Sequence, residues 1–157
     1  QVSASGSTAS IDSTVSGKSI VNAEEELSLP NLAEINILLV EDIPFNQTIA
    51  KMMLEDAGAR VTVAENGLEA VNKLAAGEGF DIVLMDIQMP VMDGYEATRQ
   101  ILSNENSRHI PIIAMTANAL VEDIQKCTEA GMVAHISKPI DEDIMIQSVA
   151  EHIKRKA

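Results

Sequence analysis

The stretch Phe80-Asp81-Ile82-Val83-Leu84-Met85-Asp86-Ile87-Gln88-Met89-Pro90 decides how the rest of the chain is read. An apolar run, Ile82 to Met85, ends abruptly in one carboxylate, and a proline follows soon after. A short apolar run bounded by turn residues suits a strand covered on both faces, as in parallel sheets flanked by helices. In open α/β sheets reactive groups gather at the carboxyl ends of strands, which gives Asp86 the position of a chemical acceptor. An aspartate after a strand also serves as the cap of the next helix. The stretch by itself leaves both readings open.

The flanking sequence repeats the pattern. Ile35-Asn36-Ile37-Leu38-Leu39-Val40-Glu41-Asp42 is another aliphatic strand ending in acid, and Pro44 suits the start of a helix. Ile49, Met52, Met53 and Leu54 then recur at helical spacing until Gly58. Arg60–Ala64 gives the second strand, and Asn66 with Glu69 resembles a capping box opening a helix to about Ala76. Asp81–Met85 is the third strand. Asp93 with Glu96 caps a helix through Leu102, and Pro111–Thr116 is the fourth strand. A helix from about Ala119 to Ala130 stops at Gly131, and Met132–Ser137 is a fifth, weaker strand. Asp141 caps a last helix reaching Ile153, with Lys154-Arg155-Lys156 where the helix dipole favours cations. Five strands alternating with five helices predict an α/β fold with a parallel, doubly wound sheet, right-handed crossovers and helices on both faces.

Length and composition agree with one such core. The chain has 157 residues, 46% apolar but only 2% aromatic, so the interior is built from Ile, Leu, Val, Ala and Met. A formal charge of −13 argues against direct nucleic-acid binding, which needs Lys and Arg at the phosphates, and favours a divalent cation or a basic partner surface. Cys127 is the single cysteine, which excludes a disulfide-stapled scaffold, and it reads as a small packing residue. No apolar run approaches the roughly 20 residues of a membrane span. Residues 1–33 have the Ser/Thr/Gly-rich composition of a linker, with a short helix expected within Ser19–Leu29, and 34–157 form the folded domain. Gln1 in place of an initiator Met is expected of a piece of a longer polypeptide.

In a parallel sheet every strand points its carboxyl end to the same edge. Glu41 and Asp42, Asp86, Thr116 and Lys138 therefore converge on one rim from strands one, three, four and five. Several carboxylates in one site either keep a proton or bind a cation. A hard oxygen-ligand ion such as Mg2+ fits, with Asp42 and Asp86 as ligands and the Gln88 carbonyl close enough in sequence to be another. Asp86 is then a nucleophile beside a phosphate-neutralising ion, Lys138 a mobile point charge for a phosphoryl oxygen, and Thr116 a hydroxyl donor. Each residue alone has an ordinary reading as a cap or a loop residue; the joint placement favours chemistry.

From about Asn36 to Ile153 the sequence resembles the receiver domain of two-component response regulators. The resemblance rests on Glu41-Asp42, on Asp86-Ile87-Gln88-Met89-Pro90-Val91-Met92-Asp93-Gly94, on Thr116-Ala117 and on Lys138-Pro139, in that order and spacing. Val40 to Gln47 and Met115 to Ala119 resemble receivers at the C-terminus of hybrid histidine kinases in particular. The resemblance implies a flavodoxin-like (βα)5 fold with strand order 2-1-3-4-5. It implies that Asp86 accepts a phosphoryl group from a phosphohistidine on a histidine kinase core or a histidine phosphotransfer protein. Mg2+ would be held by Asp42, Asp86 and the Gln88 backbone, with Glu41 acting through bound water. Thr116 and Lys138 would contact the phosphoryl group, and Lys138-Pro139 would be joined by a cis peptide. Partner or homodimer contacts are expected on the helix Ala119–Ala130 and on the face around strand five and the last helix. A cytoplasmic location follows, whether or not the parent protein is anchored in a membrane.

One position departs from the pattern. His135 stands three residues before the lysine, where many receivers carry a Tyr or Phe that swings inward on activation. It is expected either to act with Thr116 as the switch or to be a partly buried ring without that role. Three rival functions are weaker on the residues. A flavin carrier needs a Ser/Thr/Gly-rich phosphate loop after strand one, where this chain has Glu41-Asp42-Ile43-Pro44. A phosphatase with an aspartyl nucleophile usually has a second acid two residues on, and Gln88 cannot relay a proton. A receiver that is never phosphorylated has no support, since the acceptor and its helpers are all present.

Overall fold

The computed structural model describes residues 30–117 and 120–153. The helix expected within Ser19–Leu29 and the basic turn Lys154-Arg155-Lys156 lie outside them. In chain order the elements are β1 (Asn36–Val40), α1 (Pro44–Asp56), β2 (Arg60–Ala64), α2 (Gly67–Ala75), β3 (Ile82–Asp86), α3 (Gly94–Leu102), β4 (Ile112–Thr116), α4 (Val121–Ala130), β5 (Ala134–Ser137) and α5 (Glu142–His152). The strands are parallel in the order β2-β1-β3-β4-β5, as expected.

Period-two alternation sorts each central strand between two apolar layers. Leu38, Val40, Val83 and Met85 pack against Ala70 and Leu74 of α2, Ala97 and Ile101 of α3 and Cys127 of α4. Ile37, Leu39, Ile82 and Leu84 pack against Ala50 and Leu54 of α1 and Met145, Ile146 and Val149 of α5. Every residue of β3 and β4 is buried, whereas the edge strands β2 and β5 bury one residue each. Each fully buried Leu or Ile contributes about 1.5–3 kcal/mol, so the central strands hold most of the fold's stability. The weak apolar signal of strand five is therefore that of an edge.

Local chemistry sets the boundaries. Asn66, Asp93 and Asp141 each accept a hydrogen bond from the backbone N–H three residues on, at 2.8, 2.9 and 3.1 Å. Asp93 is thus the cap that an Asp86 cap would have duplicated. Gly131 ends α4 with φ +105°, a conformation open to glycine without strain. The 33/34 boundary leaves out Leu32, which is fully buried in the α1–α5 layer and donates its N–H to Ala57 O at 2.8 Å. The packed unit therefore includes residues ahead of β1. Among the described residues no helix is long and apolar enough to cross a membrane.

Two buried side-chain oxygens have no hydrogen-bond partner among the described residues, and one of them lies in the apolar layer. Thr98 Oγ1 on α3 is fully buried with no hydrogen-bond partner. A hydroxyl in that state costs about 1–3 kcal/mol of desolvation. Thr98→Val is expected to raise stability by about 1 kcal/mol in a urea unfolding titration. An equal loss would show that the hydroxyl is satisfied in solution.

Candidate functional site

The carboxyl ends of β1, β3, β4 and β5 form the rim that the parallel sheet requires. Asp86 is the last residue of β3 and only 4% exposed, Thr116 is the last of β4, and Glu41 follows β1 directly and is 2% exposed. Carboxylate oxygens of Glu41, Asp42 and Asp86 all lie within 4.8 Å of one another. Lys138 enters from the end of β5, with Nζ 3.0 Å from Glu41 Oε1 and 3.3 Å from Asp86 Oδ1. Its backbone N–H donates to Thr116 O at 2.8 Å, which ties the lysine loop to β4. The Lys138–Pro139 peptide is cis. The Gln88 N–H donates to Asp86 Oδ1 at 3.3 Å, folding the loop after β3 back over the strand end.

Three acids against one ammonium leave the site short of positive charge. Burial, then the Glu41 charge, raise the Asp86 pKa from 3.8 to about 6, although Lys138 opposes the rise. Burial works against the Lys138 ammonium, but the Glu41 hydrogen bond and the Asp86 and Glu41 charges outweigh it and hold its pKa above the usual lysine value. Asp42 Oδ1 is buried and has no hydrogen-bond partner. An orphaned carboxylate oxygen beside two further acids is a donor set for a hard, oxygen-seeking cation, so the residues fit Mg2+ chemically.

His135 is not part of this cluster. It is exposed on β5, on the sheet face opposite Ile136, at the sheet edge where β5 has a strand neighbour on one side only. The expected alternative of a partly buried ring is thereby corrected. Cys127 is buried among the apolar residues between α3 and α4, as expected of a packing residue.

Two residues inside the stretches that carry the resemblance have a structural hold on the site that the sequence did not disclose. Gln47, in α1, donates from Nε2 to Glu41 O at 2.6 Å. Gly94 opens α3 against the end of β3: a Cβ there would collide with Asp86 O and lie 2.9 Å from Ile87 Cα. Amide side chains and glycines at helix starts are common, and only the fold shows what they touch.

Known proteins share this arrangement. Histidine kinase 1 of Arabidopsis thaliana is 38% identical over 161 residues, covering 81% of this chain and 13% of that protein. Hybrid signal transduction histidine kinase B of Dictyostelium discoideum is 43% identical over 129 residues, covering 74% of this chain and 6% of that protein. The chain thus spans a small fraction of the length of these relatives. The receiver domain of a sensor histidine kinase from Pseudomonas aeruginosa PAO1, solved with a magnesium ion coordinated in its active site cleft, is 44% identical with a TM-score of 0.70, over 77% of this chain and 98% of that one. The receiver domain of the Saccharomyces cerevisiae response regulator Ssk1, co-crystallised with the histidine phosphotransfer protein Ypd1, is 29% identical with a TM-score of 0.66, over 80% of this chain and 88% of that one. The model of the response regulator receiver domain matches residues 37–150. Fold, rim and relatives agree over that span, and the chain belongs to the response regulator receiver domain family.

Proposed function

We propose that this chain is a phosphorylation-dependent switch in a His-to-Asp phosphorelay and that Asp86 takes its phosphoryl group from a phosphohistidine. The observation that carries the reading is the buried acceptor itself: Asp86 at the end of β3, within 4.8 Å of two further acids and 3.3 Å from an ammonium. Mg2+ bound by Asp42, Asp86 and the Gln88 carbonyl, with Glu41 through water, would neutralise phosphoryl charge.

The protein's own groups do the rest by position and charge. An Asp86 carboxylate oxygen attacks phosphorus, the P–N bond of the donor breaks as the P–O bond forms, and the imidazole leaves with the electron pair and takes a proton from solvent. Asp86 must be ionised to attack, and a pKa of about 6 leaves it so at neutral pH. Lys138 exchanges the Asp86 oxygen for a phosphoryl oxygen, and the Thr116 hydroxyl donates to another. Thr116 and His135, on adjacent strands, are the pair assigned to the switch. Gln88, two residues after the acceptor, cannot relay a proton to activate water, so hydrolysis of the phosphorylated form is expected to be slow.

A protein donor has a landing surface beside the rim. A groove of about 470 Å3 lies between α1 and the loop after β5, and Phe45, Ile49, Ile140, Glu41 and Lys138 are among the residues that line it. Phe45 is 71% exposed, a large apolar cost unless a partner covers it. A phosphotransfer protein seated there brings its histidine to the rim.

Intact mass measures the outcome. With Mg2+ and acetyl phosphate the chain is expected to gain one phosphoryl group, and Asp86→Asn none. No gain on the unsubstituted chain, or equal labelling of the variant, would overturn the assignment. With a phosphorylated histidine phosphotransfer protein as donor, Phe45→Asp is expected to slow transfer about tenfold while acetyl phosphate labelling stays unchanged. Equal slowing with both donors would remove the groove from the reading.

A further inference from the structure

Four hydrogen bonds hold Glu41. Its N–H donates to Ala64 O at 3.0 Å, Oε2 accepts from the Ile43 N–H at 3.2 Å, Oε1 from Lys138 Nζ at 3.0 Å, and its carbonyl from Gln47 Nε2 at 2.6 Å. The next residue is the opposite case, since Asp42 Oδ1 is buried without a partner. The two are joined by a planar peptide, so whatever fixes the Glu41 carbonyl also fixes the direction in which Asp42 leaves the strand. Ala64 fixes the preceding peptide; Gln47 fixes this one.

Gln47 is placed to do so by the start of α1. Its own N–H closes the first helical turn on Ile43 O at 2.9 Å, and the helix has Pro44 at its first position and no side-chain cap. The side chain is therefore not spent on the helix end. It reaches past the helix to the strand, across six residues of chain.

We propose that Gln47 is a positioning residue for the cation site: its amide locks the Glu41–Asp42 peptide and so aims the unpartnered Asp42 oxygen into the acidic cluster. The inference rests on the Mg2+ reading above and adds to it a residue that touches neither the cation nor the phosphoryl group. Supporting partners of metal ligands typically contribute a factor of 10–100 in metal affinity. An amide that only steadied the helix would leave that affinity untouched once the protein is folded.

The test is calorimetric titration with Mg2+ at a temperature where every variant is fully folded. Gln47→Leu keeps the bulk and removes the donor, and is expected to weaken Mg2+ binding about tenfold or more. Gln47→Arg restores a donor while adding a positive charge that by itself repels the cation, so recovered affinity can come only from the hydrogen bond. Acetyl phosphate labelling of Gln47→Leu is expected to need more Mg2+ for half-maximal rate and to reach the normal rate at saturation. Unchanged Mg2+ affinity in Gln47→Leu, with affinity lost in Asp42→Asn, would overturn the role of Gln47 and leave the acceptor assignment standing. An unsubstituted chain that binds no Mg2+ would overturn the cation reading and this inference with it.

Discussion

Asp86→Asn is expected to be more stable than the unsubstituted chain at about pH 7.5 without divalent cations, by about 2 kcal/mol. The sign follows from the raised pKa. A carboxyl that titrates near 6 when folded but near 3.8 when unfolded binds its proton more tightly in the native state. Its stabilising contribution is complete below pH 3.8 and is lost as pH rises through 6, so at neutral pH the ionised group is a burden that the fold carries. Asparagine has the same shape and no charge, and Lys138 keeps Glu41 as its partner at 3.0 Å. The advantage of the variant is expected to shrink towards zero as pH falls to about 4. Mg2+ is expected to raise the unfolding temperature of the unsubstituted chain and to do much less for Asp86→Asn. Thermal unfolding across pH, with and without Mg2+, reads all three. A less stable variant at neutral pH, or an advantage that grows on acidification, would show that Lys138 neutralises Asp86 in full.

Gly94→Ala is expected to cost about 3 kcal/mol and to slow labelling of Asp86. The added methyl would strike Asp86 O and crowd Ile87 Cα, both backbone atoms at the end of β3. No side-chain rotation relieves that contact. Either α3 moves out, opening the layer that holds Ala97 and Ile101, or the end of β3 moves and displaces the carboxylate. Gly79→Ala is the control, because its added methyl meets nothing within 4 Å. It is expected to change stability by less than about 0.5 kcal/mol. Chemical denaturation of the two variants compares them, and a Gly94→Ala effect as small as that of Gly79→Ala would mean that the helix start has slack.

Much of this architecture was legible because it follows from strong local signals. Short apolar runs bounded by turn residues, such as Ile82 to Met85, read as strands, and Asn66, Asp93 and Asp141 mark helix starts by chemistry that acts over three residues. The rim was legible for a different reason: once the strands are parallel, Glu41, Asp42, Asp86, Thr116 and Lys138 have nowhere else to meet. What escaped depends on contacts between distant elements. Leu32 sits in a segment without periodicity and reveals its burial only when α1 and α5 are in place. The exposure of His135 reflects the position of β5 at the sheet edge, which a single strand does not disclose. Gln47 and Gly94 act through one backbone carbonyl each, and neither residue type announces such a partner.

The burial of Leu32 also decides where the domain is tethered. Leu32 is bonded to Ala57, past the C-terminal end of α1, and Ile35 leads directly into β1, so chain preceding Pro30 joins the domain at the pole opposite Asp86. A five-residue strand, about 16 Å of backbone, separates the two. The point of attachment therefore lies away from the mouth of the site. In a longer protein, attachment and chemistry could then be altered independently: lengthening or shortening the upstream chain would change how often a covalently linked donor meets Asp86, without touching any group that performs the transfer.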